Sequence, residues 1–326
     1  MALHEPSEIE LRKVLKDIQN GNHTILKDFL KSSPNVHWSS IHIDKQGNTI
    51  LHLAARLGNI NVITYLMENF HPKAVNCKNK DDKTALHEAA QFGQFESSKI
   101  LLKYGADVNA LKRADWTPLM LVCTKINSNE NYKILDLFLK GGALVNYRNK
   151  DGWTCLHLIC REGNVGMLEL LVKSGLNLTV KSKNGRTGLH VAALHGHSKI
   201  INILLDLNSN VNEIDSIGNT PLHEAVLGGQ LDICRILIKR GADISCKNNL
   251  NLTLLHLASS QGNIEMISFI LKDLMININE TCKTGFTPLH FAAKNNHKEA
   301  YEFLIKQGAD TNILDKFHRK ASEYFS

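Results

Sequence analysis

The 326-residue chain lacks most of the features that announce a function. No uninterrupted apolar stretch approaches the ~20 residues of a membrane span, and Met1 to Lys13 is polar and charged, without the apolar core of a secretory signal. A soluble, intracellular protein is the expectation, cytoplasmic and also nuclear. Its seven cysteines (Cys77, Cys123, Cys155, Cys160, Cys234, Cys246 and Cys282) are odd in number and scattered, with no C-x-x-C pair. Neither a disulfide framework nor a zinc site is indicated, and reduced core thiols are expected. A phosphate loop, a nucleophile elbow, paired catalytic carboxylates and an H-E-x-x-H motif are also missing. Leu86-His-Glu-Ala-Ala90 and Leu222-His-Glu-Ala-Val226 come nearest to the last and lack its second histidine. The expectation is therefore no enzyme, no metal and no cofactor.

What remains is ordinary soluble composition, 43% hydrophobic and 21% charged, which excludes a disordered chain. Length alone suggests two domains unless the chain is a repeat array. A threonine followed two residues later by leucine recurs in Thr49-Ile-Leu-His52, Thr84-Ala-Leu-His87, Thr117-Pro-Leu-Met120, Thr154-Cys-Leu-His157, Thr187-Gly-Leu-His190, Thr220-Pro-Leu-His223, Thr253-Leu-Leu-His256 and Thr287-Pro-Leu-His290. The steps are 35, 33, 37, 33, 33, 33 and 34 residues. Each copy continues with small residues such as Ala89-Ala90 or Ala292-Ala293, an apolar helix, and an ending such as Gly105-Ala-Asp-Val-Asn109.

Threonine suits a helix N-cap, proline the first turn, leucine the core, and the small pair a close helix approach. The recurrent histidine is then a scaffold residue, and Cys155, His157 and Cys160, though clustered, are packing residues. Two helical patterns occupy residues 7–32, the first opened by the capping-box sequence Ser7-Glu-Ile-Glu10. Residues 1–40 are expected to form an N-terminal helical cap. Eight repeats follow over 41–314, with starts near 44, 79, 112, 149, 182, 215, 248 and 282, and 315–326 form a truncated C-terminal cap that leaves no room for an effector domain. The extra residues Lys125 to Asn131 fall between two helices, away from the fingers that join repeats.

With its period near 33 and its T-P-L-H core, the chain resembles the ankyrin repeat family. The resemblance implies an all-α solenoid of helix-turn-helix repeats with β-hairpin fingers, and a protein-binding function carried by the fingers and the exposed face of each first helix. The fingers that feed repeats 2 to 5 carry ten basic residues: Lys78, Lys80, Lys83, Lys112, Arg113, Arg148, Lys150, Lys181, Lys183 and Arg186. They carry four acidic residues, Asp81, Asp82, Asp115 and Asp151, so they account for the whole net charge of +6 and leave 28 basic and 28 acidic residues elsewhere. Trp116 and Trp153 stand in the same band, just before the capping threonine. Tryptophan and arginine dominate binding hot spots, so this strip suits an acidic protein partner, with Lys78, Lys80, Lys83, Arg113, Trp116, Arg148, Trp153 and Arg186 as candidate contacts. Direct nucleic-acid binding is disfavoured because the rest of the chain is charge-neutral.

Within the family, Lys112-Arg-Ala-Asp-Trp-Thr-Pro-Leu-Met120, Asn149-Lys-Asp-Gly-Trp153 and Arg161-Glu-Gly163 resemble the alanyl-tRNA synthetase-binding ankyrin repeat proteins. That resemblance implies a monomer that binds the synthetase catalytic domain and captures serine, misactivated as the adenylate, on its own lysines. The positions that match are Lys112, Lys150, and Lys181 or Lys183. Arg113 stands where the family has a second lysine, and a guanidinium cannot accept an acyl group. Separately, Leu101 to Asn109 resembles ankyrin segments hydroxylated on asparagine, which makes Asn109 a candidate modification site.

Overall fold

The computed structural model describes residues 8–32, 39, 41–69, 72–125 and 128–325. Ser7 of the expected capping box, Ile126 and Asn127 of the insertion, and Ser326 lie outside the described residues. The chain divides into two units, one of residues 1–159 and 166–176 and one of residues 160–165 and 177–326.

In the first unit, α1 (Glu8–Gln19) and α2 (Thr24–Ser32) precede the helix pairs α3 (Ile50–Leu57) with α4 (Ile60–Asn69), α5 (Ala85–Gln91) with α6 (Phe95–Lys103), and α7 (Pro118–Cys123) with α8 (Asn129–Lys140). Two further helices, α9 (Cys155–Glu162) and α10 (Val165–Lys173), cross the division. The second unit holds α11 (Gly188–His195) with α12 (Ser198–Asp206), α13 (Pro221–Leu227) with α14 (Leu231–Lys239), α15 (Leu254–Ser260) with α16 (Ile264–Asp273), and α17 (Pro288–Lys294) with α18 (Lys298–Lys306), then a 3-10 turn at Ala321–Tyr324. First helices stack on first helices, as α3 on α5 on α7 and α11 on α13 on α15 on α17. The small pairs lie in those contacts: Ala54, Ala55, Ala89, Ala90, Ala192 and Ala193 are fully buried.

Each stacked helix begins the same way. The threonine takes an extended N-cap conformation, at Thr49, Thr84, Thr187, Thr220, Thr253 and Thr287 with ψ near 170°. Three residues on, the histidine Nδ1 accepts the threonine backbone N–H at 3.1–3.2 Å, as His52, His87 and His190 do. Accepting there leaves the ring hydrogen on Nε2, which in His52, His87, His190 and His256 donates to the backbone carbonyl just before the next repeat's threonine, whereas His223 Nε2 finds no partner within bonding distance among the described residues. His52 thus reaches Lys83 O at 2.8 Å, His87 reaches Trp116 O at 3.1 Å, His190 reaches Asn219 O at 3.0 Å, and His256 reaches Phe286 O at 3.1 Å. One neutral imidazole caps its own helix and ties down the next finger. Met120 has no such nitrogens, so α7 keeps only the cap from Thr117 Oγ1 to the Met120 N–H. At the far end of α11, Gly196 takes a left-handed φ of 80°, and a Cβ there would lie 2.4 Å from Gln230 Oε1.

The fingers carry less β-structure than the hairpins expected from the sequence. Among the described residues the β pairing consists of two isolated bridges, Lys112 with Trp116 and Leu314 with Lys320. Elsewhere the finger is a turn, closed for example by Asn79 N–H donating to Lys83 O and Asn248 N–H to Leu252 O. The cysteines are free, and Cys123, Cys155 and Cys160 are buried. Burial raises the Cys160 thiol far above its ordinary range and the Cys234 thiol to about 12, so both are inert core groups.

Burial pushes His87, His223 and His256 down from 6.5 to about 4, and lowers His52, His190 and His290 in the same direction. In the unfolded chain these rings bind protons near pH 6.5, so the unfolded state takes up more protons in acid. Their contribution to stability is complete above pH 6.5 and is lost as pH falls from 6.5 toward 4. Glu224 opposes this, because burial raises its carboxyl pKa. Urea unfolding at pH 7.5, 6.0, 5.0 and 4.5 should show a steady fall in stability, and a constant free energy over that range contradicts the neutral-imidazole account. The substitution Met120→His supplies the missing bridge and should raise stability by about 1 kcal/mol in the same assay.

Candidate protein-binding surface

The first residue of each finger, five before the threonine (or before Lys320 in the last finger), is Asp44, Asn79, Asn149, Ser182, Asp215, Asn248 or Asp315 in most repeats. A short polar side chain there folds the turn from inside. Asn79 Oδ1 accepts the Asp81 and Lys83 N–H groups at 2.9 and 3.0 Å, and Asn149 Oδ1 accepts those of Asp151 and Trp153. Neighbouring fingers are laced by their backbones. In the first unit Lys80 N–H donates to Gln46 O, Arg113 N–H to Asp81 O and Lys150 N–H to Ala114 O, at 2.8–3.1 Å. The side chains therefore project from a fixed frame.

Lys112 breaks the pattern, standing where the other fingers have Asn, Asp, Ser or, once, Cys282. With no internal acceptor, this finger adds a left-handed Ala114 (φ 62°) to the left-handed fourth residue that the other fingers share, here Asp115 (φ 60°), and keeps the common closure of Lys112 N–H on Trp116 O at 3.0 Å. That conformation is costly for residues with a Cβ. Freed from the turn, the lysine lies half-buried with Nζ 5.3 Å from the centre of the Trp116 ring. Burial lowers the Lys112 pKa below its ordinary value, and the nearby positive charge of Lys83 adds to the effect.

Several of the other finger cations are held by carboxylates. Glu88 is fully buried at the centre of the first unit's stack, where Arg56 Nε meets it at 2.9 Å and Lys83 Nζ at 3.2 Å. A buried carboxylate without such partners costs several kcal/mol, so Lys83 is part of the scaffold as well as of the surface. Lys83 also donates to Gln91 at 2.7 Å. Arg113 lies 3.4 Å from Asp81, and Lys150 lies 3.9 Å from Asp115, with both cations exposed. Lys78 donates to Leu111 O at 3.0 Å. Lys80 and Arg148 are exposed, and Trp116 and Trp153 are half-buried, Trp153 beside His157 with ring centres 5.7 Å apart.

In the second unit, Arg186 lies 2.9 Å from the buried Glu224 of the next repeat and 3.7 Å from Asp215. Lys181 meets Glu213 at 2.6 Å, and that contact holds the Glu213 carboxyl below its ordinary range. Lys183 is exposed and makes no ion pair among the described residues. Asn109 bonds across to the next repeat, accepting Leu144 N–H at 2.9 Å and donating to Gly142 O at 3.0 Å, so its amide is part of the repeat stack. Among the described residues no group of three or more His, Cys, Asp or Glu could hold a metal ion, and no helix is long and apolar enough to cross a membrane.

Two features escape a reading by composition. The buried glutamates were signalled by glutamate directly after the repeat histidine, at Glu88 and Glu224 alone. The unusual setting of Lys112 was signalled by a lysine in a column of Asn, Asp, Ser and one Cys.

The ankyrin repeat pattern, in tandem three-copy matches, covers residues 16–112, 110–182, 174–248 and 244–315, and the chain belongs to the ankyrin repeat family. An ankyrin repeat protein of fowlpox virus (strain NVSL) is 56% identical over 39 residues, 12% of this chain and 21% of that protein. The ARF GTPase-activating protein Git of Drosophila melanogaster is 31% identical over 115 residues, 34% of this chain and 15% of that protein. Protein phosphatase 1 regulatory subunit 27 of Homo sapiens is 50% identical over 40 residues, 12% of this chain and 26% of that protein. The matches therefore span about a quarter or less of these relatives. Ankyrin repeats of this kind are protein-binding scaffolds.

The setting of Lys112 has a measurable outcome. In trace acetylation with acetic anhydride across pH 6–11, the midpoint for Lys112 should fall below the ~10.4 of a free lysine side chain. Lys83→Met removes a neighbouring positive charge and should move that midpoint upward. A Lys112 midpoint at the free-lysine value, or one indifferent to Lys83→Met, contradicts the assignment.

Proposed function

We propose that this chain is a non-catalytic ankyrin repeat protein that binds the catalytic domain of alanyl-tRNA synthetase and traps misactivated serine on its lysines. On this reading it acts as a cytoplasmic and nuclear monomer, a counterpart of ankyrin repeat domain-containing protein 16, which it resembles at Lys112-Arg-Ala-Asp-Trp116 and Asn149-Lys-Asp-Gly-Trp153. The supporting observation is the setting of Lys112: half-buried beside Trp116, near Lys83, with its pKa lowered. Seryl-adenylate is an activated carbonyl made by the synthetase. A neutral Nζ lone pair attacks the carbonyl carbon, the bond from that carbon to the phosphate oxygen breaks, and AMP leaves with the electron pair. The proton left on nitrogen passes to solvent, and a stable amide remains. Each lysine is consumed once, so this is stoichiometric capture without turnover.

Among the other candidate acceptors, Lys150 and Lys183 are exposed, and Lys150 has only a long contact to Asp115. Lys181 Nζ is engaged by Glu213 at 2.6 Å, a contact it must give up to reach a carbonyl carbon, which makes it the weaker choice beside Lys183. Docking on an acidic face of the synthetase would involve Lys78, Lys80, Arg113 and Arg148, with Trp116 and Trp153 as anchors.

The test is to incubate the full chain with alanyl-tRNA synthetase, serine and ATP and to map lysine adducts by mass spectrometry. Seryl adducts are expected on Lys112 first, and Lys112→Arg should remove that adduct while leaving the complex intact. An intact complex with no adduct on Lys112, Lys150, Lys181 or Lys183 ends the capture reading. Failure to bind the synthetase at all leaves a scaffold for a different acidic protein, the reading that the fold alone supports.

A further inference from the structure

The fingers of the second unit offer a different chemistry from those of the first. Two residues after the first finger position, the first unit places Gln46, Asp81, Ala114 and Asp151. At the same position the second unit places Asn184, and then Ile217, Leu250, Thr284 and Phe317. Ile217, Leu250 and Phe317 are 54%, 58% and 64% exposed. Single exposed apolar residues are common on proteins, but three in equivalent positions of one frame make a row. That row is fixed by the backbone: Asn249 N–H donates to Ile217 O, Lys283 N–H to Leu250 O and Lys316 N–H to Thr284 O, at 2.9–3.1 Å.

The charge around the row has one sign. The carboxylates of these fingers, Asp215 and Asp315, are buried and turned inward, where Asp215 Oδ1 accepts the Ile217 and Asn219 N–H groups and Asp315 Oδ1 those of Phe317 and Arg319. Glu213 and Glu280, just before the fingers, are paired with Lys181 and Lys247. Lys283 and Lys316 are exposed beside the row and make no ion pair among the described residues. Packed helices stand about 8–10 Å apart, so successive finger residues are separated by roughly three residues of extended peptide at ~3.3 Å each.

We propose that the fingers around Ile217, Leu250 and Phe317 are a docking surface for an extended peptide segment that combines large apolar and acidic side chains. The peptide's apolar groups lie about three residues apart against Ile217 and Leu250 and about six residues further on against Phe317, across the Thr284 finger, and carboxylates face Lys283 and Lys316. Apolar contact supplies the affinity, and the lysines select against basic sequences. This surface is separate from the lysines assigned to serine capture, and the two proposals stand or fall independently.

A phage-displayed random dodecapeptide library, selected on the full chain, provides the test. Expected is enrichment of peptides carrying Leu, Ile, Phe or Trp together with Asp or Glu. Their binding should weaken by about tenfold or more in Ile217→Asp/Leu250→Asp/Phe317→Asp and by a few-fold in Lys283→Glu/Lys316→Glu. Both variants change exposed side chains, and an unchanged thermal transition verifies that they fold. No enrichment, enrichment of basic peptides, or equal binding by wild type and the triple variant overturns the proposal. Concentration-dependent dimerisation of the wild type that the triple variant abolishes, without peptide enrichment, overturns it in favour of a second copy of the chain.

Discussion

A buried imidazole that must stay neutral holds the repeats in register. Its Nδ1 is occupied by the N–H of the capping threonine, so its Nε2 is obliged to donate, and the acceptor it finds is a carbonyl in the next finger. One side chain thereby sets a helix start and the position of a neighbouring turn. Buried polar groups are costly unless satisfied, and this arrangement satisfies three of them at once in the middle of an apolar stack. Where Met120 replaces the histidine, the cap survives through Thr117 and the tie is missing. The finger concerned, Asn149 to Trp153, keeps the internal closure by its Asn149 side chain that the tied fingers also have.

The fingers divide the work differently. Their shape comes from the short polar residue at the base and from the hydrogen bonds that lace one tip to the next, so the outward side chains are free to carry chemistry. In the first unit those side chains are cations and half-buried tryptophans, with Lys112 placed on the Trp116 ring because it has lost the turn-forming role of its counterparts. In the second unit a different finger position, occupied in the first unit by Gln46, Asp81, Ala114 and Asp151, becomes apolar at Ile217, Leu250 and Phe317. One repeated frame thus carries two kinds of outward side chain.

The helices were legible because the repeat spells out their physics: threonine cap, first-turn proline, buried leucine and small pair recur at a fixed spacing, and each names a position on the helix. The finger turns were legible as turns and overread as hairpins, since a five-residue Asn, Asp or Ser turn needs no strand on either side. The charge excess of the fingers was read from a sum, and a sum is blind to pairing. Lys83 and Arg186 answer the buried Glu88 and Glu224, which lie outside the fingers in sequence and against them in space. The apolar row was invisible for a related reason. Its members are a whole repeat or more apart, so no local window contains two of them, and only exposure separates Leu250 from the many leucines of the core.

The ties from His52, His87, His190, His256 and His290 end on backbone carbonyls, owned by Lys83, Trp116, Asn219, Phe286 and Arg319. A bond to the main chain does not read the side chain attached to it. The position closest to the strongest scaffold interaction is therefore also among the most tolerant of replacement. A large aromatic or an amide can stand there while the stack keeps its register, and at Lys83, whose side chain answers the buried Glu88, the scaffold also reads the residue. Such a molecule separates the question of whether it folds from the question of what it recognises, residue by residue, at its most constrained joint.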